Sequence, residues 1–553
     1  MKKKTHSPKV LSQIAQTRFG YDELRSGQEA AIQSVLGGHD TLAVMPTGSG
    51  KSAIYQMAAF IMPGATVVVS PLIALQRDQV QFLAQQDVGE AAVLNSTLSA
   101  AERQETFETL AAGNLEFLFL APEQFNNPET LEQLQAAKPS LFVIDEAHCV
   151  SAWGHDFRPD YLRLSAIIES LGHPRILALT ATAAPPIRQD IVERLGMQDA
   201  AVIVQGFNRP NIYLSAERFE DNAEKDKALI ERAIQAEKPA IIYAATRKRT
   251  EELAEALKEQ GVEAVHYHAG MKQCDRTATE AAFMQNEIAV MVATIAFGMG
   301  VDKPNIRSVF HADISDSVDS YYQEIGRAGR DGEPAKATLF YNPSDLNLRR
   351  FMNSRGQLDA EAIEQVAQVL QDQSEPVSPQ DIQEQVDLSK TKVKKALNQL
   401  AEVEAVEQLA GGEVIPTENI TDTEAAVAAA LETQERQQQF EKSRLEMMRG
   451  YAEARDCRRK YLLNYFGEAF EAPCDNCDLC KAAANRKEPE AKSNTSSART
   501  PFAINSRVEH SSWGQGTVMS YEDDKITILF DTVGYKSLSL DVLRLRKLLK
   551  AVD

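Results

Sequence analysis

Two short stretches hold residues that could act on a phosphate. MPTGSGKS (45–52) follows the apolar run TLAV and precedes a helical pattern. Backbone N–H groups in such a Gly-rich turn, aimed from a helix N-terminus, can wrap phosphate oxygens. Thr47, Gly48, Ser49 and Gly50 would form that wrap, Lys51 would reach the β and γ phosphates, and Ser52 would ligate Mg²⁺. Met45 stands where the strict pattern has glycine. The pair Asp145-Glu146 closes the run LFVI. Asp145 would hold Mg²⁺, and Glu146 would orient the attacking water and accept its proton. A flexible turn and an acidic helix start are the bland readings. Their order along one chain, each after a strand, favours ATP hydrolysis. In QEIGRAGRDG (323–332), Arg327 and Arg330 fall three apart, which predicts one face of a helix. An arginine from across a cleft can stabilise charge on a transferring phosphoryl group. Solvated surface arginines are the alternative, and the flanking glycines argue for close approach to something.

A second chemistry lies near the C-terminus. Cys457, Cys474, Cys477 and Cys480 follow the pattern C-x16-C-x2-C-x2-C, whereas Cys149 and Cys274 stand alone. Six cysteines in 553 residues make no disulfide scaffold. Four clustered thiolates suit tetrahedral Zn²⁺, with an Fe–S cluster as runner-up. Four protein ligands leave no open position, so a zinc here would be structural.

These groups need elements to place them. TLAVMP, TVVVSP, LEFLFLAP, LFVIDEAH and RILALTAT read as buried strands separated by helical patterns, the signature of a parallel α/β sheet. A second series (AIIYAAT, AVHYHAG, IAVMVAT, SVFHAD, ATLFYN) repeats the architecture. The fold class is therefore α/β, with two tandem parallel-sheet domains at 10–207 and 208–350. Three helical patterns and a Gly-turned hairpin suggest a winged helix at 357–416. A long polar helix and the cysteines make a helical zinc-binding domain at 421–482. A polar, turn-rich linker follows at 483–501. Short alternating strands at 502–550 predict a small β-barrel closed by a helix at VLRLRKLLK. The net charge of −20 argues against holding nucleic acid by overall charge, though not against a local basic groove. No run is apolar enough to span a bilayer and no signal peptide is visible, so a cytoplasmic home is expected, in a bacterial cytoplasm or nucleoid.

Residues 10–345 resemble RecQ-type DNA helicases of the DEAD/DEAH-like group. The marks are FGYDELRSGQ, MPTGSGKS, SPLIALQRDQV, APEQF, DEAHCVSAWGHDFRP, ALTATA, FNRPNI, FGMGVDKPNIRSVFH and YYQEIGRAGRDG. The resemblance implies two RecA-like domains and an ATP-dependent helicase moving 3′ to 5′ in DNA repair or recombination. It implies that Arg25 and Gln28 recognise adenine, and that Thr180 and Thr182 couple the ATP site to the interdomain cleft. Asp302 and Gln323 would help sense nucleotide state. The loop after the acidic pair would couple DNA to hydrolysis. Trp153 and Phe157 offer stacking faces, while His155 and Arg158 contact the backbone or relay the change. Ala152 stands where the family usually carries Gln. Ser70, Arg77, Asn95 and Arg307 would touch phosphodiesters, giving affinity without sequence readout. The segment DCRRKYLLNYFGE…PCDNCDLC resembles the RecQ zinc-binding segment.

Two features depart from the family. RecQ proteins usually place the winged helix after the zinc segment, whereas here about 75 extra residues precede Cys457. Lys390, Lys392, Lys394 and Lys395 give that module a basic helix, with Lys392 and Lys395 as candidate DNA contacts. A solvated face on a protein-interaction module is the other reading. The tail VEHSSWGQGTVMSYEDDKITILFDTVGYKSL is similar to the small Tudor-like barrel ending UvrD-type helicases. That likeness implies docking to a partner such as RNA polymerase or a repair protein, with plain DNA binding as the alternative. The expected partners are single-stranded and duplex DNA, and the cofactors ATP, Mg²⁺ and Zn²⁺. The competing function is an ATP-switched clamp or translocase that docks a partner without unwinding.

Overall fold

In a computed structural model the protein is described over residues 7–552, except 26, 72, 87, 96–97, 152–157, 299–301, 355–356, 374, 410–411, 486–500, 523 and 547. The chain divides into two compact units. The first comprises Met1–Met45, Ser49–Gln205 and Ser354–Gln438; the second comprises Pro46–Gly48, Gly206–Asn353 and Gln439–Asp553.

A seven-stranded sheet organises the first unit. Its spatial order is Ala91–Leu94, Phe117–Leu120, Thr66–Val69, Leu141–Ile144, Arg175–Thr180, Thr41–Val44 and Ala201–Val204, all parallel. The central runs TVVV, FLFL, LFVI and TLAV are buried at every position, because helices cover both faces of the sheet. The edge strand Ala201–Val204 alternates between half-buried and exposed. Local chemistry starts the helices where the sheet ends. Helix Ala100–Ala111, for example, begins at a capping box in which Ser99 and Glu102 satisfy each other's backbone N–H.

The first unit also carries helices Ala360–Gln371, Pro379–Gln385 and Lys390–Glu402 and the hairpin Val406–Gln408/Val414–Pro416. Ser378 and Ser389 cap the second and third of these helices. Ile363, Val366, Leu397, Leu400, Val406 and Val414 share one small core. Gly412 in the hairpin turn has φ 90°, and a Cβ there would sit 2.8 Å from Asn126 Oδ1 and 3.0 Å from Arg163 Nη1. Glycine is thus required by the backbone conformation.

The second unit is built on a six-stranded parallel sheet. Its order is Ala264–Tyr267, Val290–Ala293, Ala240–Tyr243, Ser308–His311, Ala335–Tyr341 and Ile212–Arg218. Under it, Lys225 is 1% exposed and its Nζ lies 2.7 Å from Asp345 and 3.5 Å from Asp313. Burial pushes the Asp345 carboxyl above its ordinary range, and Lys225 pulls it back.

The zinc-segment helices Arg458–Tyr465 and Asp478–Asn485 and the C-terminal barrel complete this unit. Helix Asp478–Asn485 runs into the segment expected as linker from 483; residues 486–500 lie outside the described ones. The barrel is a five-stranded antiparallel sheet, in the order Gly534–Ser539, Lys525–Phe530, Gly514–Glu522, Arg507–His510 and Leu549–Ala551, with no pairing among the described residues between the first and last of these strands. The closing helix is shorter than expected. It ends at Arg546, and Leu549–Ala551 becomes a strand. Pairing with Arg507–His510 satisfies an edge that a longer helix would leave open, and it buries Leu549. The barrel is seated on the zinc segment. Tyr535 stacks on Tyr465 with centroids 5.1 Å apart and donates its N–H to Ser443 Oγ at 3.0 Å. Gly534 leaves room for Ser443 beside it.

Replacing Lys225 with methionine leaves the buried Asp345 carboxylate without its cation, while Asp313 keeps Arg249 at 2.9 Å. The expected loss is about 3–5 kcal/mol of stability for the second unit, read as a lower urea midpoint. An unchanged midpoint would show that water already reaches Asp345.

Candidate functional site

The phosphate loop joins strand Thr41–Val44 to helix Ser52–Ile61. Gly48 and Gly50 both have φ 75°, the left-handed region that turns backbone N–H groups inward without a Cβ penalty. Buried Gln28 braces the loop, its Nε2 donating to the carbonyls of Ser49 and Gly50 at 2.9 Å each. Its Oε1 accepts from the Arg25 backbone N–H at 2.7 Å, so Gln28 ties Arg25 to the loop; the Arg25 side chain is exposed. Lys51 Nζ donates to the Met45 carbonyl at 3.2 Å, folded back along the loop.

Asp145 follows strand Leu141–Ile144 directly. Burial and then the Glu146 carboxylate push its carboxyl above the ordinary range; Lys51 and the Glu146 backbone N–H, 3.0 Å away, pull it down. A largely buried acid pair beside one ammonium group fits a divalent cation, which supplies the charge the protein lacks. Glu146 has φ 51° and opens the 3₁₀ turn Ala147–Val150. Its Oε2 lies 3.3 Å from His148 Nδ1, and the same nitrogen is 3.0 Å from Thr180 Oγ1. Thr180 Oγ1 in turn donates to the Thr182 carbonyl at 3.1 Å. Polar contacts therefore run from Glu146 to His148 as a charge pair, and from His148 through Thr180 to Thr182 as hydrogen bonds. Sequence reasoning missed His148, although its place two residues after Glu146, in a buried turn, was the available signal.

In the second unit, Gln323 lies in helix Val318–Ile325, 8% exposed. Arg327 and Arg330 do not share a helix face as expected. The helix ends at Ile325, with Gly326 as its C-cap, and Gly329 takes φ 54°, so both arginines stand in the turns that follow. Arg327 is 5% exposed, and a Cβ on Gly298 would come within 2.9 Å of its Nη2. Arg330 Nη1 pairs with Asp302 at 2.6 Å. The FNRPNI motif holds this loop from behind. Arg209 Nη2 donates to the carbonyls of Ala328 and Gly329 at 2.9 and 3.0 Å, and Asn211 Nδ2 donates to Gly329 at 2.8 Å. Arg459, from the zinc segment, donates to the Arg209 and Ile212 carbonyls at 2.6 and 2.7 Å.

One sulfur from each of Cys457, Cys474, Cys477 and Cys480 lies within 4.8 Å of the others, with no disulfide among them. The Cys457 thiol and the backbone N–H groups of Cys480 and Arg458 hold Cys477 well below its ordinary value. Four convergent sulfurs, none in a disulfide, fit Zn²⁺.

Three family models match the chain: DEAD/DEAH box helicase over residues 25–190, helicase conserved C-terminal domain over 224–332, and RecQ zinc-binding over 413–481. The chain is 42% identical over 362 residues to the probable ATP-dependent DNA helicase RecS of Bacillus subtilis (strain 168), covering 65% of this chain and 73% of RecS. The chain belongs to the RecQ family of ATP-dependent DNA helicases. It is 37% identical over 464 residues to RecQ of Pasteurella multocida (strain Pm70), covering 84% of this chain and 61% of that protein. The helicase MrfA bound to DNA and AMPPNP shares the fold, with a TM-score of 0.51 at 20% identity over 74% of this chain and 62% of that one.

The cofactors of this RecQ-family chain are ATP, Mg²⁺ and Zn²⁺, and DNA is its substrate. Among the residues expected to meet DNA, Trp153, His155 and Phe157 lie outside the described ones. Arg158 Nη1 is 3.5 Å from the Pro71 carbonyl. Ser70 is buried at the end of strand Thr66–Val69, Asn95 is buried after strand Ala91–Leu94, and Arg77 is exposed on helix Ile73–Gln86. Arg307 is already committed, with Nη2 2.6 Å from Asp331 Oδ2. Lys390, Lys392 and Lys395 are exposed, whereas Lys394 pairs with Asp160 at 2.9 Å. No described helix is long and apolar enough to cross a membrane.

Gln28→Ala removes both struts from the phosphate loop. Its KM for ATP should rise roughly five- to 150-fold, since two part-buried hydrogen bonds to the loop are worth about 1–3 kcal/mol. ATP titration of steady-state hydrolysis checks this, and an unchanged KM would show the loop holds itself.

Proposed function

We propose that this chain couples ATP hydrolysis to 3′-to-5′ movement along one DNA strand and separates duplexes in repair or recombination. The observation that carries the reading is the relay from Glu146 through His148 to Thr180, set beside a largely buried acid pair and a braced phosphate loop. Gln28 and the backbone of Thr47–Gly50 position the triphosphate, and Lys51 meets its β and γ oxygens. Ser52 and Asp145 would hold Mg²⁺, which would supply positive charge to the transferring phosphoryl group. Glu146 orients the attacking water and takes its proton. Arg327 and Arg330 stabilise the charge that develops on the γ-phosphoryl oxygens, and Gln323 and Asp302 report nucleotide state. Trp153 and Phe157 stack on bases, so that movement of a strand is felt at Glu146 only residues away. Ser70, Arg77, Asn95, Lys392 and Lys395 steer the phosphodiester backbone. Residues 357–416 act as a winged helix displaced ahead of the zinc segment. Cys457, Cys474, Cys477 and Cys480 would hold a structural zinc, which would fix the segment from which Arg459 supports the arginine loop.

The C-terminal barrel recruits a protein partner such as RNA polymerase or a repair protein, and the site of action is the bacterial cytoplasm or nucleoid. The relatives named are helicases, so a clamp without unwinding finds no support among them.

Duplexes with a 3′ or a 5′ single-stranded tail test the proposal. ATP should drive separation of the 3′-tailed duplex alone, and Glu146→Gln should lose turnover by roughly 10²–10⁴-fold while still binding ATP. Separation of the 5′-tailed duplex alone, or ATP turnover without any separation, would overturn it.

A further inference from the structure

Glu251, His266 and His268 form a cluster that neither the ATP site nor the zinc segment uses. His266 lies in strand Ala264–Tyr267 and His268 directly follows it, two residues on and so on the same face. Their rings stack with centroids 5.3 Å apart and planes 12° from parallel. Glu251 projects from helix Arg247–Glu259, and its Oε1 is 2.9 Å from His268 Nε2. One ligand atom from each of the three lies within 4.8 Å of the others.

We propose that Glu251, His266 and His268 bind a borderline divalent transition ion, of the Zn²⁺, Ni²⁺ or Co²⁺ class, as a second metal site distinct from the four cysteines.

The plain alternative is a His268–Glu251 hydrogen bond with a second ring stacked on it by accident. The geometry favours an ion. His268 is 5% exposed, its Nε2 lies 2.9 Å from Glu251 Oε1, and the His266 ring lies parallel beside it, so that three ligand groups converge on one point. Arg247 and Lys258 are charged neighbours of the cluster. A Cβ on Gly270 would meet Arg247 Nη1 at 3.0 Å and His268 Nδ1 at 3.2 Å, which places Arg247 towards the Nδ1 edge and leaves the Nε2 edge to Glu251. Two imidazoles and one carboxylate suit borderline ions, whereas Mg²⁺ and Ca²⁺ prefer all-oxygen sets. Three protein ligands leave a position for water, so binding here should be weaker than at four thiolates.

The test uses the full-length protein carrying zinc at its cysteines, titrated with Co²⁺ and followed by visible absorption and metal analysis. One further equivalent should bind with ligand-field bands but without thiolate charge-transfer absorption. His266→Ala and Glu251→Gln should each weaken that equivalent at least tenfold while the cysteine zinc stays at one per chain. Both side chains are partly exposed, so folding is expected to survive. Uptake of no second equivalent by the wild type, or equal uptake by both variants, overturns the assignment.

Discussion

Two adjacent carboxylates, both largely withdrawn from water, are costly unless charge and hydrogen bonds compensate them. Asp145 and Glu146 impose that constraint on the first unit, and the neighbouring residues answer it. Lys51 and the Glu146 N–H act on Asp145; His148 acts on Glu146; Thr180 takes up the same His148 nitrogen. The strands carrying these groups are adjacent in the sheet, with Ile144 in register with Ala178. A small shift of either strand end therefore changes the partner of a largely buried acid. Packed cores deform little, so such a link suits a two-position switch better than a graded response.

The second unit solves a related problem by other means. Two arginines must be presented from a loop broken by glycines, and such a loop has no ladder of its own to hold it. Arg209 and Asn211 supply donors to its free carbonyls, and Arg459 holds the segment bearing Arg209. The zinc segment thus has a structural consequence reaching the loop of Arg327 and Arg330. Loss of the metal should be felt there as well as at the cysteines. Seating the barrel on the same segment through Tyr535 and Ser443 adds to that scaffold and covers one face of the barrel.

Much of this was legible in the sequence, and the exceptions share physical causes. The central strands were visible because helices on both faces demand unbroken apolar runs. Ala91–Leu94, Ala201–Val204 and Ile212–Arg218 escaped notice as sheet-edge strands, half covered and therefore mixed in composition. The phosphate loop, the acid pair and the four cysteines announce themselves because phosphate and metal chemistry fix residue type and spacing. Arg327 and Arg330 have the spacing of a helix face, but Gly326 and Gly329 end the helix first. Leu549–Ala551 reads as helix by composition and becomes a strand because a barrel edge needs a partner. Long-range links, such as Arg459 to Arg209 or Tyr535 to Tyr465, leave no local signal at all.

Coupling of the acid pair to the rest of the motor rests on His148 and Thr180. Thr180→Val keeps the shape of the side chain and removes only its hydroxyl, so it probes that link with little else disturbed. ATP turnover would be measured with and without single-stranded DNA. The relay predicts a near-normal KM for ATP, with DNA stimulation falling towards the basal rate. Full stimulation in Thr180→Val would contradict it.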